Sequence, residues 1–112
     1  MKKVVNILEN KNYQIHTSQQ TKDNLISSIY VSDLLSRVIK NGAIDGCLIT
    51  IMNHLNTVAT ATMVDMSCIV ICEKQNPTEL MIQKAESFGI ALISTSLKSY
   101  EVAIDFFQRG FI

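Results

Sequence analysis

Three short apolar runs constrain this chain more than any other feature: Cys47-Leu48-Ile49-Thr50-Ile51, Cys68-Ile69-Val70-Ile71-Cys72 and Ile90-Ala91-Leu92-Ile93. Each has strand length and is nearly continuous in apolar, mostly β-branched residues. A strand written that way is covered on both faces, which is the habit of parallel sheets. The segments between the runs carry apolar residues at helical spacing, and strands alternating with helices imply parallel strands joined by crossovers. The expected fold is therefore α/β, a small three-layer domain with a mostly parallel sheet and helices on both faces. With 112 residues, 47% of them apolar, the chain can fill one core, so residues 1–112 are expected to form a single domain.

Helices are expected over 32–40, with Ser32 as N-cap, and over 56–66. Two more are expected over 78–88 and 99–108. The third is well punctuated: Pro77 precedes it, Glu79 lies in its first turn, and Gly89 follows its last residue. Ahead of these, 4–10 reads as a short helix, and 13–16 and 25–31 as strands.

Lysine plus arginine total 10 and aspartate plus glutamate total 10, a formal net charge of zero. That balance argues against a nucleic-acid binder, which needs a broad basic field. No run approaches the roughly 18 apolar residues of a membrane span. The first ten residues are too polar for a secretory leader, since Asn6 and Glu9 interrupt them. The expected setting is cytoplasmic. Three cysteines, an odd number, fit that compartment.

Cys68 and Cys72 on one strand lie about 13 Å apart, too far to share a metal or a disulfide. No C-x-x-C occurs, so no cofactor is expected, and neither is an iron–sulfur or zinc site. Of the three, Cys72 at a strand end is expected to be the most exposed. There is no G-x-x-x-x-G-K-[ST] loop and no G-x-S-x-G elbow, which disfavours an NTPase and an α/β-hydrolase.

In an open parallel sheet the loops at the strand C-terminal ends gather on one edge, where ligands bind. Here those loops are 50–57, 72–78 and 94–99. They offer Thr50, His54, Asn56, Thr57, Thr95 and Ser96 as ligand-binding candidates. Asp33, after the preceding segment, could accept from a ribose or an amine. Asn56 and Thr57 sit where a helix begins, and its free N–H groups suit an anion. The competing reading is that Asn56, Thr57, Thr78 and Ser96 only cap helices. His54 is the sole imidazole of these loops and a weak candidate for general base or metal ligand. Small residues at 59–62 predict either close packing of this helix on its own sheet or a self-association surface.

The stretch Tyr30-Val31-Ser32-Asp33-Leu34-Leu35-Ser36 resembles the small stand-alone proteins of the DRTGG-domain family. Members of that family resemble the N-terminal, non-kinase domain of HPr kinase/phosphorylase. The likeness continues through Gly46-Cys47-Leu48-Ile49-Thr50, His54-Leu55-Asn56-Thr57-Val58-Ala59 and Ile69-Val70-Ile71-Cys72-Glu73. It runs on through Ala85-Glu86-Ser87-Phe88-Gly89-Ile90 to Ser99-Tyr100-Glu101-Val102-Ala103. The Asp-Arg-Thr-Gly-Gly string itself is absent. The resemblance implies a self-associating α/β domain with a regulatory or ligand-sensing role rather than an enzyme, acting on a small anionic or nucleotide-like ligand. Such domains occur fused to CBS modules, and stand-alone members occur beside iron-hydrogenase genes of anaerobic bacteria. This implies, as an alternative, a protein–protein adaptor in an electron-transfer or phosphotransfer system.

Overall fold

In a computed structural model that describes residues 2–112, the chain opens with β1 (Lys2–Lys3), α1 (Val4–Ile7) and β2 (Tyr13–Ile15). A 3-10 turn (Gln19–Asp23), β3 (Leu25–Ile26) and β4 (Ser28–Val31) follow. The remainder is α2 (Leu35–Asn41), β5 (Gly46–Thr50), α3 (Leu55–Met63), β6 (Cys68–Ile71), α4 (Glu79–Phe88), β7 (Ala91–Thr95) and α5 (Ser99–Gln108). The three apolar runs are β5, β6 and β7, and every residue of these strands is buried.

The main sheet has the order β2-β7-β6-β5-β4. Its last four members are mutually parallel, and β2 pairs antiparallel with β7. Because the parallel strands lie side by side in chain order, right-handed crossovers send α2, α3 and α4 to the same face. There Val38, Val58, Ala61, Met81 and Ala85 pack on Leu48, Ile69, Ile71 and Leu92. The alternate strand residues Cys47, Ile49, Val70 and Ile93 point the other way and are covered by Val4 and Ile7 of α1 and Val102 and Phe106 of α5. The third layer is thus supplied by the two ends of the chain.

An arginine locks those ends together. Arg109 donates to Asp105 through Nε and Nη2 (3.0 and 2.8 Å), and to the Asn6 and Ile7 carbonyls at the end of α1 (2.8 and 3.3 Å). Its guanidinium lies over the rings of Tyr13, Phe106 and Phe111. The Tyr13 hydroxyl donates to Asp105 Oδ2 at 2.6 Å, which ties edge strand β2 into the same cluster.

Element ends follow local chemistry. Thr78 caps α4 by accepting from the Met81 N–H, and Gly89 stops it at φ 70°, a left-handed conformation natural to glycine. Several expected boundaries shift. The Ser32 hydroxyl accepts from the Leu34 N–H in a tight turn instead of capping a helix, so α2 starts at Leu35. The helix expected over 56–66 starts one residue early, capped by His54, and stops at Met63 before the left-handed Asp65. The helix expected over 4–10 is only Val4–Ile7. The strand expected over 25–31 is two strands: β3 pairs with β1, β4 pairs with β5, and Ser27 separates them. Cys72 is buried rather than exposed, like Cys47 and Cys68. The loop after β6 folds back over it: the Glu73 N–H donates to the Leu97 carbonyl and the Lys74 N–H to the Thr95 carbonyl. No helix among the described residues is long and apolar enough to cross a membrane.

Candidate functional site

The predicted residues fall into two groups along the C-terminal edge of the parallel strands. In the first, around the loop between β5 and α3, Asp33 Oδ1 accepts from the Thr50 hydroxyl (2.8 Å) and the Ile51 N–H (2.9 Å). Thr50 Oγ1 in turn accepts from the Met52 N–H (3.1 Å), and the Thr57 hydroxyl donates to the Met52 carbonyl (2.8 Å). Thr50 and Thr57 are fully buried. Their hydroxyls hold the loop's shape and do not face an open cleft. Asp33 is exposed but has one carboxylate oxygen committed to this network.

His54 and Asn56 sit at the start of α3. His54 Nδ1 accepts from the Asn56 N–H at 3.1 Å, so the imidazole is the helix cap. That lone pair serves the backbone. Of the four residues expected as caps, Thr78 fills that role, whereas α3 is capped by His54 and Thr57 bonds a carbonyl. Between these groups lies Asn53, whose side-chain oxygen is buried without a hydrogen-bond donor among the described residues. An acceptor left in that state costs about 1–3 kcal/mol. The sequence reading passed over Asn53, although an amide beside a helix start was the available signal.

The second group, Thr95 and Ser96, lies at the C-terminal end of β7, which has β6 on one side and β2 on the other. Because α4 packs on one face of the sheet and α5 on the other, the chain leaves these adjacent strands in opposite directions. That divergence makes a crevice in an open α/β sheet. Here two backbone hydrogen bonds tie the loops after β6 and β7 together, and a cleft of about 350 Å³ lies beside them, between the loop after β6 and edge strand β2. Thr95 and Ser96 line it, together with Lys11, Asn12, Gln14, Lys74, Asn76 and Ser94. The Ser94 hydroxyl sits 2.7 Å from His16 Nε2. Burial lowers the His16 pKa from its ordinary value, which favours the neutral ring. Glu73 and Lys74 are successive non-glycine residues at φ 61° and 62°, an uncommon backbone held by the two loop-to-loop hydrogen bonds.

A second cleft, about 330 Å³, lies at the N-terminal end of the strands beside Glu86, Asn24 and Gly89. Its carboxylate is spent on the Ser18 N–H (3.0 and 3.2 Å), so it braces the 3-10 turn.

The cysteines are core residues on the face covered by α1 and α5. Cys47 and Cys68 are register partners on adjacent strands. Their mutual hydrogen bond and their burial raise the Cys47 thiol pKa well above its ordinary value. Burial pushes Cys72 up to about 11, against a Ser99 hydrogen bond that lowers it. No three histidine, cysteine or carboxylate side chains gather into a metal-sized cluster among the described residues. α3 runs between α2 and α4, with Thr60 and Ala61 buried in close packing, Thr62 half-buried and Ala59 exposed.

Fold and edge define an α/β domain with a polar cleft at the C-terminal edge of its sheet, beside β2. No family model matches the chain, and no curated protein matches it. Among solved structures it is similar to the regulatory region, containing CBS and DRTGG domains, of Clostridium perfringens pyrophosphatase, solved in complex with the activator diadenosine tetraphosphate. The two superpose with a TM-score of 0.78 at 14% sequence identity, over 91% of this chain and 44% of the other. The chain therefore has a DRTGG/CBS-like fold and spans less than half the length of the region it matches.

Proposed function

We propose that the chain is a non-enzymatic regulatory domain of the cytoplasm that self-associates and senses a small nucleotide-like anion at the C-terminal edge of its sheet. The observation that carries the reading is the superposition over 91% of the chain on a regulatory region solved with a nucleotide activator. Asn53 supports the nucleotide-like part: a buried amide oxygen without a donor suits a base amine or a ribose hydroxyl. His54 supports the non-enzymatic part, because its Nδ1 is engaged as a helix cap. Thermal unfolding against a panel of adenosine, AMP, ATP and diadenosine tetraphosphate tests the reading. Stabilisation by at least one nucleotide is expected, weakened in Asn53→Ala and Asn56→Ala; no shift across the panel removes it.

The self-association surface draws on β4 and on α5. β4 has a neighbour on one side only, and its Ser28-Ile29-Tyr30-Val31 carries none of the charges that guard free edges. Val31 is exposed beside it, and α5 presents Tyr100, Ile104 and Phe107 on the side opposite its core residues. These four side chains expose on the order of 400 Å². That matches the apolar share of a standard interface, which buries roughly 800 Å² per partner. Light scattering on a sizing column should report a dimer that Phe107→Asp converts to monomer; a monomeric wild type refutes this part. The same stripe favours a second reading, a docking subunit for a redox or phosphotransfer complex, and a monomer that retains a stable protein partner would support it.

A further inference from the structure

We propose that the cleft at the end of β7, between β2 and the loop after β6, is a binding site for an anion bearing two or more phosphate groups, with Lys11 and Lys74 as its charge-neutralising residues. The inference rests on the ligand-sensing reading and adds to it a phosphate subsite with its own residues, apart from Asn53 and Asn56. Three observations converge on it. The cleft, about 350 Å³, is large enough for a di- or triphosphate. It lies at the C-terminal end of β7, the ligand-binding edge of an open parallel sheet, between edge strand β2 and the loop after β6. Its lining is cationic and rich in donors: neither Lys11 nor Lys74 has a carboxylate within 4.0 Å among the described residues, where the only ion pair is Arg109–Asp105.

The walls are built rather than loose. Lys74 lies in a left-handed backbone pair pinned to the neighbouring loop by its own N–H on the Thr95 carbonyl (3.0 Å). Ser94 is buried and its hydroxyl is fixed against His16 at 2.7 Å. Asn12 and Asn76 bring amide donors from the two loops that carry the lysines, or from residues adjoining them. A site with flexible cations over a fixed floor of hydroxyl and amide groups selects charge and hydrogen-bonding capacity rather than apolar shape.

Titration calorimetry on the full chain at low ionic strength, with inorganic tripolyphosphate, ATP and adenosine as separate probes, tests the proposal. Tripolyphosphate and ATP should both bind and adenosine should bind more weakly than either. Lys74→Gln and Lys11→Gln should each weaken tripolyphosphate by about tenfold, the loss of one charge-assisted contact. Lys84→Gln, which removes the same charge from α4 away from the cleft, should leave affinity within about twofold. Circular dichroism melts show whether each variant is folded. Failure of tripolyphosphate to bind, or equal weakening by Lys84→Gln, overturns the proposal. If ATP still stabilises the Lys11→Gln/Lys74→Gln double variant as it does the wild type, the cleft is wrong while the ligand-sensing reading stands. If no nucleotide binds at all, that broader reading fails on its own.

Discussion

Removing the Asp105 carboxylate should cost far more than its position in an i,i+4 ion pair suggests. On an exposed helix such a pair contributes about 0.3–0.5 kcal/mol. Here the side chains of Arg109 and Asp105 are only 25% and 18% exposed. Asp105 accepts from three donors: the Tyr13 hydroxyl and two nitrogens of Arg109. Asp105→Ala would leave the hydroxyl unpaired and the guanidinium without its counter-ion above the aromatic rings. Hydrogen bonds to charged groups contribute about 1.5–3 kcal/mol each and do not add fully. With a discount for the remaining exposure, the loss should be about 2–3 kcal/mol. Against a typical total of about 5–15 kcal/mol, that lowers the melting temperature by roughly 10 °C.

Urea unfolding followed by far-UV circular dichroism measures this directly, with an unchanged m-value as the internal check. A loss under about 0.5 kcal/mol would refute the reasoning and return the pair to the surface class. The pH dependence gives an independent arm. Burial raises the Asp105 pKa, but the hydrogen bonds from Arg109 and Tyr13 outweigh it and leave it below the ordinary value. A carboxyl depressed on folding stabilises fully above its unfolded pKa, about 3.9, and the stabilisation fades as pH falls through the folded value. The stability gap between wild type and Asp105→Asn should therefore narrow as the pH drops below about 4.

Other perturbations read different parts of the fold. Gly89→Ala should cost about 1 kcal/mol, the backbone penalty at φ 70°, because nothing lies within 4 Å of the added carbon. Gly46→Ala should cost more, since its new carbon would meet the Ala43 carbonyl at 2.8 Å and Met66 Cε at 3.2 Å; urea midpoints in the reverse order would contradict this. His16→Gln should flatten the dependence of melting temperature on pH between about 7 and 5. The wild-type imidazole resists protonation in the folded state, so the unfolded chain takes up the proton first and stability falls as the pH falls through about 6.5. Ellman's reagent should label no cysteine until the chain unfolds, because all three are buried and the Cys72 thiol is pushed up to about 11. Rapid labelling of one thiol in native buffer would show that the sheet opens locally.

What the sequence made legible is what local pattern encodes. The buried strands β5, β6 and β7 stood out because a strand covered on both faces has no polar face to dilute its apolar run. α4 was legible to its last residue because Thr78 and Gly89 act on their own neighbours. The front of the chain was less so. β1 and β3 are two residues each and exist by pairing with one another. β2 runs antiparallel because the chain returns along β7, a distant contact that Tyr13-Gln14-Ile15 cannot announce. Arg109 belongs to no local motif, yet its bonds to Asn6 and Ile7 decide how the third layer closes.

The same distinction governs the site. Expecting ligand residues in the loops at the strand C-terminal ends follows from the habit of open parallel sheets, and it selected Thr50, His54, Asn56 and Thr57 along with Thr95 and Ser96. Which of these loops can open around a ligand depends on strand order, and the apolar runs leave that undetermined. Four parallel strands laid down in sequence keep α2, α3 and α4 on one face, so the loops after β4, β5 and β6 all turn the same way. Neighbouring loops that turn alike pack together, and the buried hydroxyls of Thr50 and Thr57 show the result: Thr50 donates to Asp33 on the preceding loop, and Thr57 to the Met52 carbonyl within its own. Only after β7 does the chain cross to the other face, to build α5 over a layer that the short α1 cannot cover by itself. That crossing does not part the loops after β6 and β7, which stay tied by the Glu73 N–H on the Leu97 carbonyl and the Lys74 N–H on the Thr95 carbonyl. The open space beside Thr95 and Ser96 comes from β2 instead: its antiparallel pairing with β7 brings Lys11, which carries no motif, to the same cleft as Lys74.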